Sequence, residues 1–139
     1  MGAVLFHPKN GSLEYSSLAV EHDILSLWLP KQNHMSQLEF LAAPFAISTW
    51  KTKCSNRSIL LFVDNNGAAA NLVKGYSAQV DSAAIVGHFW LLAASLKLSV
   101  YIDRVESKSN ISPSRNEFEL LQSLGAKWIW SGSTFRFLQ

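Results

Sequence analysis

An apolar run at positions 58–63, SILLFV, stops at the single carboxylate of Asp64 and constrains the fold more than any other feature. A continuous apolar run of this length predicts a strand covered on both faces, as in a sheet that lies between helices. In open α/β sheets, ligands and catalytic groups collect just beyond the carboxyl ends of the strands. Asp64 therefore either closes the strand with a turn or holds a metal ion at its end.

Strand and helix patterns alternate along the rest of the chain. An Asn-Gly pair separates two short β-prone stretches, so residues 2–20 are predicted to form a hairpin. Apolar residues at helical spacing predict one amphipathic helix over 36–53, which Pro44 kinks or shortens. The order of elements predicts an α/β protein of the α+β kind, with a mixed sheet packed against helices. The other expected elements are a short helix or edge strand at 21–29, helices at 66–74 (ended by Gly75), 81–98 (capped by Asp81) and from Asn116 to Gly125, and strands at 99–105 and 126–131.

The composition fits one compact domain over residues 1–139. Hydrophobic residues make up 48% of the chain and charged residues 16%, which excludes a disordered chain. Cys54 is the only cysteine, so no internal disulfide forms and a reducing compartment is expected. The sequence has no secretory leader pattern and no run of ~20 apolar residues, which predicts an intracellular protein, cytoplasmic or nuclear, neither secreted nor membrane-bound. The net charge of +2 permits a nucleic-acid partner without requiring one.

Glu39 is the carboxylate that best complements Asp64. It is expected on the first turn of the long helix, which can bring it to Asp64 when the helix packs on the sheet. Two converging carboxylates suit Mg²⁺, which prefers oxygen ligands, and a pair of such ions ~4 Å apart can activate water against a phosphodiester. Simpler explanations stay open: Ser36 and Glu39 fit a capping box, and Asp64 fits an Asx turn or a helix N-cap.

Three stretches in this order resemble the ribonuclease H domain of retroelement reverse transcriptases, of the type found in tyrosine-recombinase retrotransposons and related viral-like polyproteins. They are QLEFLAAPFAISTW (37–50), LLFVDNNGAAANLVKGYS (60–77) and RVESKSNISPSR (104–115), and the opening GAVLF is similar to that fold's second strand. The resemblance implies a ribonuclease H-like fold, a five-stranded mixed sheet with helices. It also implies metal-dependent cleavage of the RNA strand in an RNA–DNA hybrid.

The resemblance implies roles for individual residues. Glu39 matches the family's helix glutamate and Asp64 the aspartate at the end of its fourth strand, so both would be catalytic ligands of Mg²⁺ or Mn²⁺. The implied partner is an RNA–DNA hybrid or another nucleic acid, recognised through phosphates and the 2′-hydroxyl. By position, the nucleic-acid contacts would be Asn65, Lys74, Arg104, Lys108 and Arg115. For any one of these basic residues, a place on a solvated basic face is an equally good explanation.

Two departures from the family pattern lower the expected activity. The sequence opens in what resembles the second strand, so the first strand and its aspartate, which lie in the middle of the family's sheet, are missing, and we expect a domain truncated at its N-terminus. The loop at 110–115 is shortened and holds no acid where the family has an aspartate, and Glu106 occupies a proline position instead. Two of the four expected carboxylates remain, so cleavage is expected to be weak or lost.

Three hypotheses therefore stay open. The first is a degenerate ribonuclease H-like domain. The second is a non-catalytic module of the same fold that binds nucleic acid, a protein partner or a second copy through an open strand edge. The third is an unrelated small α/β domain with a phosphate site near Asn65–Gly67. In the first two, AKWIWS (126–131) or TFRFLQ (134–139) is a candidate to replace the missing strand.

Overall fold

The computed structural model describes residues 1–19, 35–105, 123, 125 and 127–128. They form the mixed α/β structure that the sequence predicts. The elements are β1 (Gly2–Phe6), β2 (Leu13–Ser17), α1 (Met35–Thr49), α2 (Lys51–Cys54), β3 (Ser58–Val63), α3 (Asn66–Lys74), α4 (Val80–Ser95), β4 (Ser99–Arg104) and β5 (Lys127–Trp128). The predicted element at 21–29 and the loop at 106–115 lie outside the described residues. Of the helix expected from Asn116, only Ser123, which is helical, and the closing Gly125 are described.

The predicted hairpin is confirmed over residues 1–19. Strands β1 and β2 run antiparallel, with Ala3 opposite Ser16 and Leu5 opposite Glu14. Two main-chain hydrogen bonds of 2.8 and 2.9 Å close the turn between them, and Gly11 adopts a φ of +67° there. Glycine tolerates this left-handed conformation, which is why the Asn-Gly pair marks the turn in the sequence.

The long helix predicted over 36–53 occurs as two consecutive helices. Helix α1 ends at Thr49, Trp50 has a non-helical backbone (φ −110°, ψ 27°), and α2 follows at once. Pro44 lies fully buried inside α1 and does not end it. The interruption comes one residue after Thr49, whose hydroxyl donates to the Phe45 carbonyl at 2.8 Å. Back-bonding of this kind bends helices and accompanies the break.

The short helix predicted over 66–74 is confirmed, with Gly75 at its end in the left-handed conformation (φ +70°). Its N-cap, however, is Asn65 and not Asp64, because Asn65 Oδ1 accepts a 2.9 Å hydrogen bond from the Ala68 N–H. Asp64 therefore remains outside the cap, at the end of β3.

The prediction that Asp81 caps the next helix is wrong. Gln79 occupies the N-cap position with an extended backbone and makes no side-chain cap hydrogen bond. Asp81 lies buried in the first turn of α4. A carboxylate at that place is favoured by the positive end of the helix dipole rather than by capping.

The prediction that strand 58–63 is covered on both faces is also wrong. Strand β3 spans the predicted residues, but Ile59 and Leu61 pack on the core, whereas Leu60 and Phe62 are 59% and 55% exposed. Successive side chains of a strand point to opposite faces, and the described helices cover only one of them. In the described part of the chain, this apolar strand therefore buries one of its two faces and exposes the other.

The described strands form two sheets rather than the single mixed sheet expected. One has the order β1-β2-β5, and the other is the parallel pair β3-β4. Strand β5 comes from the stretch predicted at 126–131 and pairs in parallel with β2, on the side away from β1. Lys127 and Trp128 of that stretch therefore do not bridge the two sheets. The other candidate stretch, 134–139, lies outside the described residues.

Both sheets share one hydrophobic core with the helices. Ala3 of β1 belongs to it, and Ile59 of β3 packs against it. Helix α1 packs on α4 and on β1 in this core, which holds the carboxyl end of β3 beside α1. The candidate acids lie at that junction. The largest apolar side chains that are fully buried are Leu41 and Phe45 of α1, Leu72 of α3, and Ile85, Val86 and Phe89 of α4.

Candidate functional site

Glu39 lies on α1 at the end of β3. Because α1 begins at Met35, Glu39 is on its second turn rather than its first, and Ser36 lies within the helix. The capping box that the sequence allowed for Ser36 and Glu39 therefore does not start this helix. Glu39 Oε2 instead accepts a 2.6 Å hydrogen bond from Asn65 Nδ2.

Asn65 connects three elements at the site. It follows β3 and Asp64 directly, its Oδ1 caps α3 through the Ala68 N–H, and its Nδ2 donates to Glu39 on α1. This arrangement argues against a phosphate site near Asn65–Gly67. The Asn65 side chain already bonds the helix amide that a phosphate would use, and two carboxylates lie beside it.

Glu39 and Asp64 lie close enough to repel each other. Burial is the main cause that raises the pKa of Glu39 above its usual value, and the Asp64 charge raises it further, whereas the Asn65 hydrogen bond lowers it. A raised pKa in the folded state means that folding loses stability as the pH rises through that pKa, because both charges are then present. A bound cation relieves this kind of repulsion.

Two described carboxylates could hold one hard divalent cation. Glu39 and Asp64 supply carboxylate oxygens, which Mg²⁺ and Mn²⁺ prefer. Within the described part of the chain, no group of three or more His, Cys, Asp or Glu side chains comes together. A site for two ions needs further carboxylates to hold them, so the described residues can offer a weak site for a single ion.

Of the basic residues predicted to contact nucleic acid, one lies at this edge of the sheet. Arg104 is opposite Val63 in the β3-β4 ladder and ends β4 beside the carboxyl end of β3. Lys74 ends α3, at about 12 Å along the helix from the site. Lys108 and Arg115 lie outside the described residues, so their role stays a prediction.

A polar pocket adjoins the carboxylate pair, and no pattern in the sequence predicts it. Its volume is about 310 Å³. Amide and hydroxyl side chains are common in turns, and only the fold brings these together from α3, α4 and the loop between them. The polar side chains that line the pocket are Asn65, Asn71, Ser77, Gln79 and Ser82.

No family model, curated protein or solved structure matches this chain. In the described ranges, no helix is both long and apolar enough to cross a lipid bilayer. The site is therefore interpreted from its own geometry and chemistry.

Proposed function

We propose that this chain is a ribonuclease H-like domain descended from a retroelement reverse transcriptase. Its ancestral activity is Mg²⁺-dependent cleavage of the RNA strand in an RNA–DNA hybrid, inside the cell, and that activity is weak or lost here. The observation that carries the proposal is the carboxylate pair, Glu39 and Asp64, held together where β3 ends. Strand ends of this kind are where open α/β sheets bind their ligands.

The division of the strands into two sheets supports the same proposal. In the sheet of that family, the first strand lies in the middle and carries an aspartate. Here the hairpin β1-β2 and the parallel pair β3-β4 are separate, and no described residue supplies a strand that joins them. A missing central strand would leave this division and would also remove one acid from the site.

The residues at the site would have different roles in binding a nucleic acid. Asn65 holds the Glu39 carboxylate in place through its 2.6 Å hydrogen bond. Arg104, which ends the neighbouring strand, supplies positive charge for a backbone phosphate. Glu39 and Asp64 would hold Mg²⁺, which when bound polarises the phosphodiester and a water molecule. Two carboxylates, all that the described residues supply here, would hold the ion weakly and stabilise little of the transition-state charge.

Mg²⁺ is expected to raise the thermal stability of the wild-type protein and to raise that of Glu39→Gln or Asp64→Asn much less. At ten times its Kd, a ligand that binds only the folded state adds about 1.4 kcal/mol. For a domain of this size, that gain corresponds to a rise in Tm of about 3–6 °C. Calorimetric melting across a MgCl₂ series measures it, together with cleavage of a labelled RNA–DNA hybrid, which we expect to be slow or absent.

Asp103→Asn is the matched control, because Asp103 is exposed on β4 and its carboxylate accepts only from the Arg104 main chain among the hydrogen bonds described. It should keep the full Mg²⁺ response. An equal response in all three variants would contradict the proposed ligand pair. Efficient hybrid cleavage that Asp64→Asn abolishes would contradict the proposed loss of activity.

An exposed apolar sheet face favours a second candidate function, protein binding through an open strand edge. The Val105 N–H donates to the Val63 carbonyl at 3.0 Å, so alternation along β3 directs the main-chain groups of Leu60 and Phe62 away from β4. No described strand pairs with that edge. The side chains of Leu60, Phe62 and Tyr101 of β4 form a contiguous exposed apolar strip on one face of this sheet. Such an edge recruits a strand from another chain, and we take a second copy of this chain as the partner.

The Phe62→Lys variant is expected to be monomeric where the wild-type protein self-associates, because a charge on an edge strand opposes strand pairing. Its stability should be unchanged, since the Phe62 side chain is largely exposed. Sedimentation velocity over a concentration series measures the association. Val73→Lys, at an equally exposed position on α3, is the control and should associate like the wild type. A wild-type protein that stays monomeric throughout the series would contradict the second candidate.

A further inference from the structure

The polar pocket beside the carboxylate pair has the features of a ligand site. Its volume of about 310 Å³ lies at the lower end of the range for small-molecule sites. Ser82 lines it and is only 1% exposed, yet Ser82 Oγ has no hydrogen-bond partner among the described residues. Buried polar groups are nearly always paired, so an unpaired hydroxyl on a lining residue is consistent with a ligand that supplies the partner.

Gln37 of α1 is a second buried residue with a polar atom that has no described partner. Gln37 is as deeply buried as Ser82, and its Nε2 donates to Gln79 Oε1, a lining side chain, at 3.3 Å. Gln37 Oε1 has no partner within the described part of the chain. Gln37 does not line the pocket itself, and its hydrogen bond to Gln79 holds one of the lining side chains in place.

The lining chemistry selects an uncharged ligand. None of the described lining residues is ionisable, and the side chains of Asn71, Ser77 and Gln79 offer both donors and acceptors. The adjoining Glu39 bonds the lining residue Asn65 and is negatively charged when ionised. A phosphate or carboxylate would lose hydration in this pocket and meet like charge. The ligand must instead carry neutral donors and acceptors.

We propose that this pocket binds an uncharged nucleobase, with adenine as the preferred base. A base has donors and acceptors along its edge and two apolar faces, and Phe40 and Ala78 supply apolar wall to match them. Side-chain amides such as those of Asn71 and Gln79 pair with the adenine edge. The inference rests on the proposed function in taking a nucleic-acid component as the ligand, and it places an unpaired base next to Glu39.

Adenosine titrated into isotope-labelled protein, without Mg²⁺, tests the proposal. We expect saturable shifts of the amide signals of Ser77, Gln79 and Ser82, with a Kd of about 1 mM, as for a small fragment. Ala78→Leu fills the pocket and should abolish the shifts. Ala84→Leu, at an exposed alanine of α4 outside the lining, should leave them unchanged. Ser82→Ala should weaken binding about two- to tenfold, the effect of one neutral hydrogen bond.

Three further ligands, titrated in the same way, show which part of adenosine the pocket binds. 2′-Deoxyadenosine should bind like adenosine, uridine more weakly, and ribose not at all. Binding of ribose as tight as that of adenosine would overturn the assignment to a base. The absence of saturable shifts with any nucleoside at about 10 mM, or shifts that persist in Ala78→Leu, would overturn the proposal. The nucleoside titration contains no metal, so its result is independent of the Mg²⁺ melting experiment. Nucleoside binding without a Mg²⁺ response would refute the proposed function alone. A Mg²⁺ response without nucleoside binding would refute this inference alone.

Discussion

Phe89→Ala is expected to lower the free energy of unfolding by about 3–5 kcal/mol, the cost of removing a large aromatic side chain from a packed core. Phe89 is fully buried on α4, in the cluster that both sheets and the helices share. Natural domains are stable by only about 5–15 kcal/mol, so the variant should be largely unfolded at moderate urea concentrations. Equilibrium urea unfolding, followed by circular dichroism, measures the change.

Leu91→Ala is the matched control on the same helix. Leu91 is 73% exposed, and surface substitutions of this kind change stability by no more than about 0.5 kcal/mol. A loss for Leu91→Ala as large as that for Phe89→Ala would show that the exposed face of α4 stabilises the fold as much as the buried face. A small loss for both would show that the common core is not what stabilises the fold.

Lys53→Met is expected to destabilise the protein by about 1–3 kcal/mol, because it leaves a buried carboxylate without its cation. Glu14 of β2 is only 7% exposed, and both its oxygens accept from Lys53 Nζ at 2.6 Å. The Lys53 side chain is itself half-exposed, and solvent screening keeps the cost in the lower part of this range. Urea unfolding again provides the measurement.

Two further variants isolate this ion pair. Lys51→Met removes an exposed cation of the same helix that makes no described side-chain contact with Glu14, and it should be nearly neutral. The double variant Glu14→Gln/Lys53→Met removes both charges and should recover much of the stability, since no uncompensated charge stays buried. Equal losses in Lys53→Met and Lys51→Met would show that the pair does not hold α2 to the hairpin.

The buried carboxylate of Glu14 and the partly buried carboxylate of Glu39 differ in what lies beside them. At the hairpin end, Glu14 has a cation and is satisfied. At the carboxyl end of β3, Glu39 has a second acid, Asp64, and one amide. A pair of like charges does not favour folding, and perturbed carboxylates are candidates for a functional site, so the proposed function is centred on this pair.

Local backbone chemistry made several parts of the fold predictable. Gly11 and Gly75 have positive φ values, and the turn and the helix end that they form were expected where they occur. The strand at 58–63 and the position of Asp64 after it also followed from the pattern, because an apolar run, an acid and turn residues specify a strand end without distant contacts.

Predictions that depended on distant contacts were less successful. The two-faced covering of β3 was wrong because covering requires a second layer, which the described residues do not supply. Asp81 and the Ser36–Glu39 box matched capping patterns, but the helices start elsewhere. Packing of an amphipathic face outweighs a cap of about 1 kcal/mol when it fixes where a helix begins.

The sequence by itself determined the hairpin, the helix at 66–74, the strands at 58–63 and 99–104, the single acid at the end of β3 and the acid on α1 that complements it. Only the tertiary structure decided that Asn65 bonds Glu39, that the described strands divide into two sheets, and that a polar pocket lined by Ser82 lies alongside. The reason is the range of the interactions. Turns, caps and periodicity act within a few residues and leave a mark in the sequence. Side chains that meet from distant elements, such as Asn65 and Glu39, meet because a shared core orients their elements.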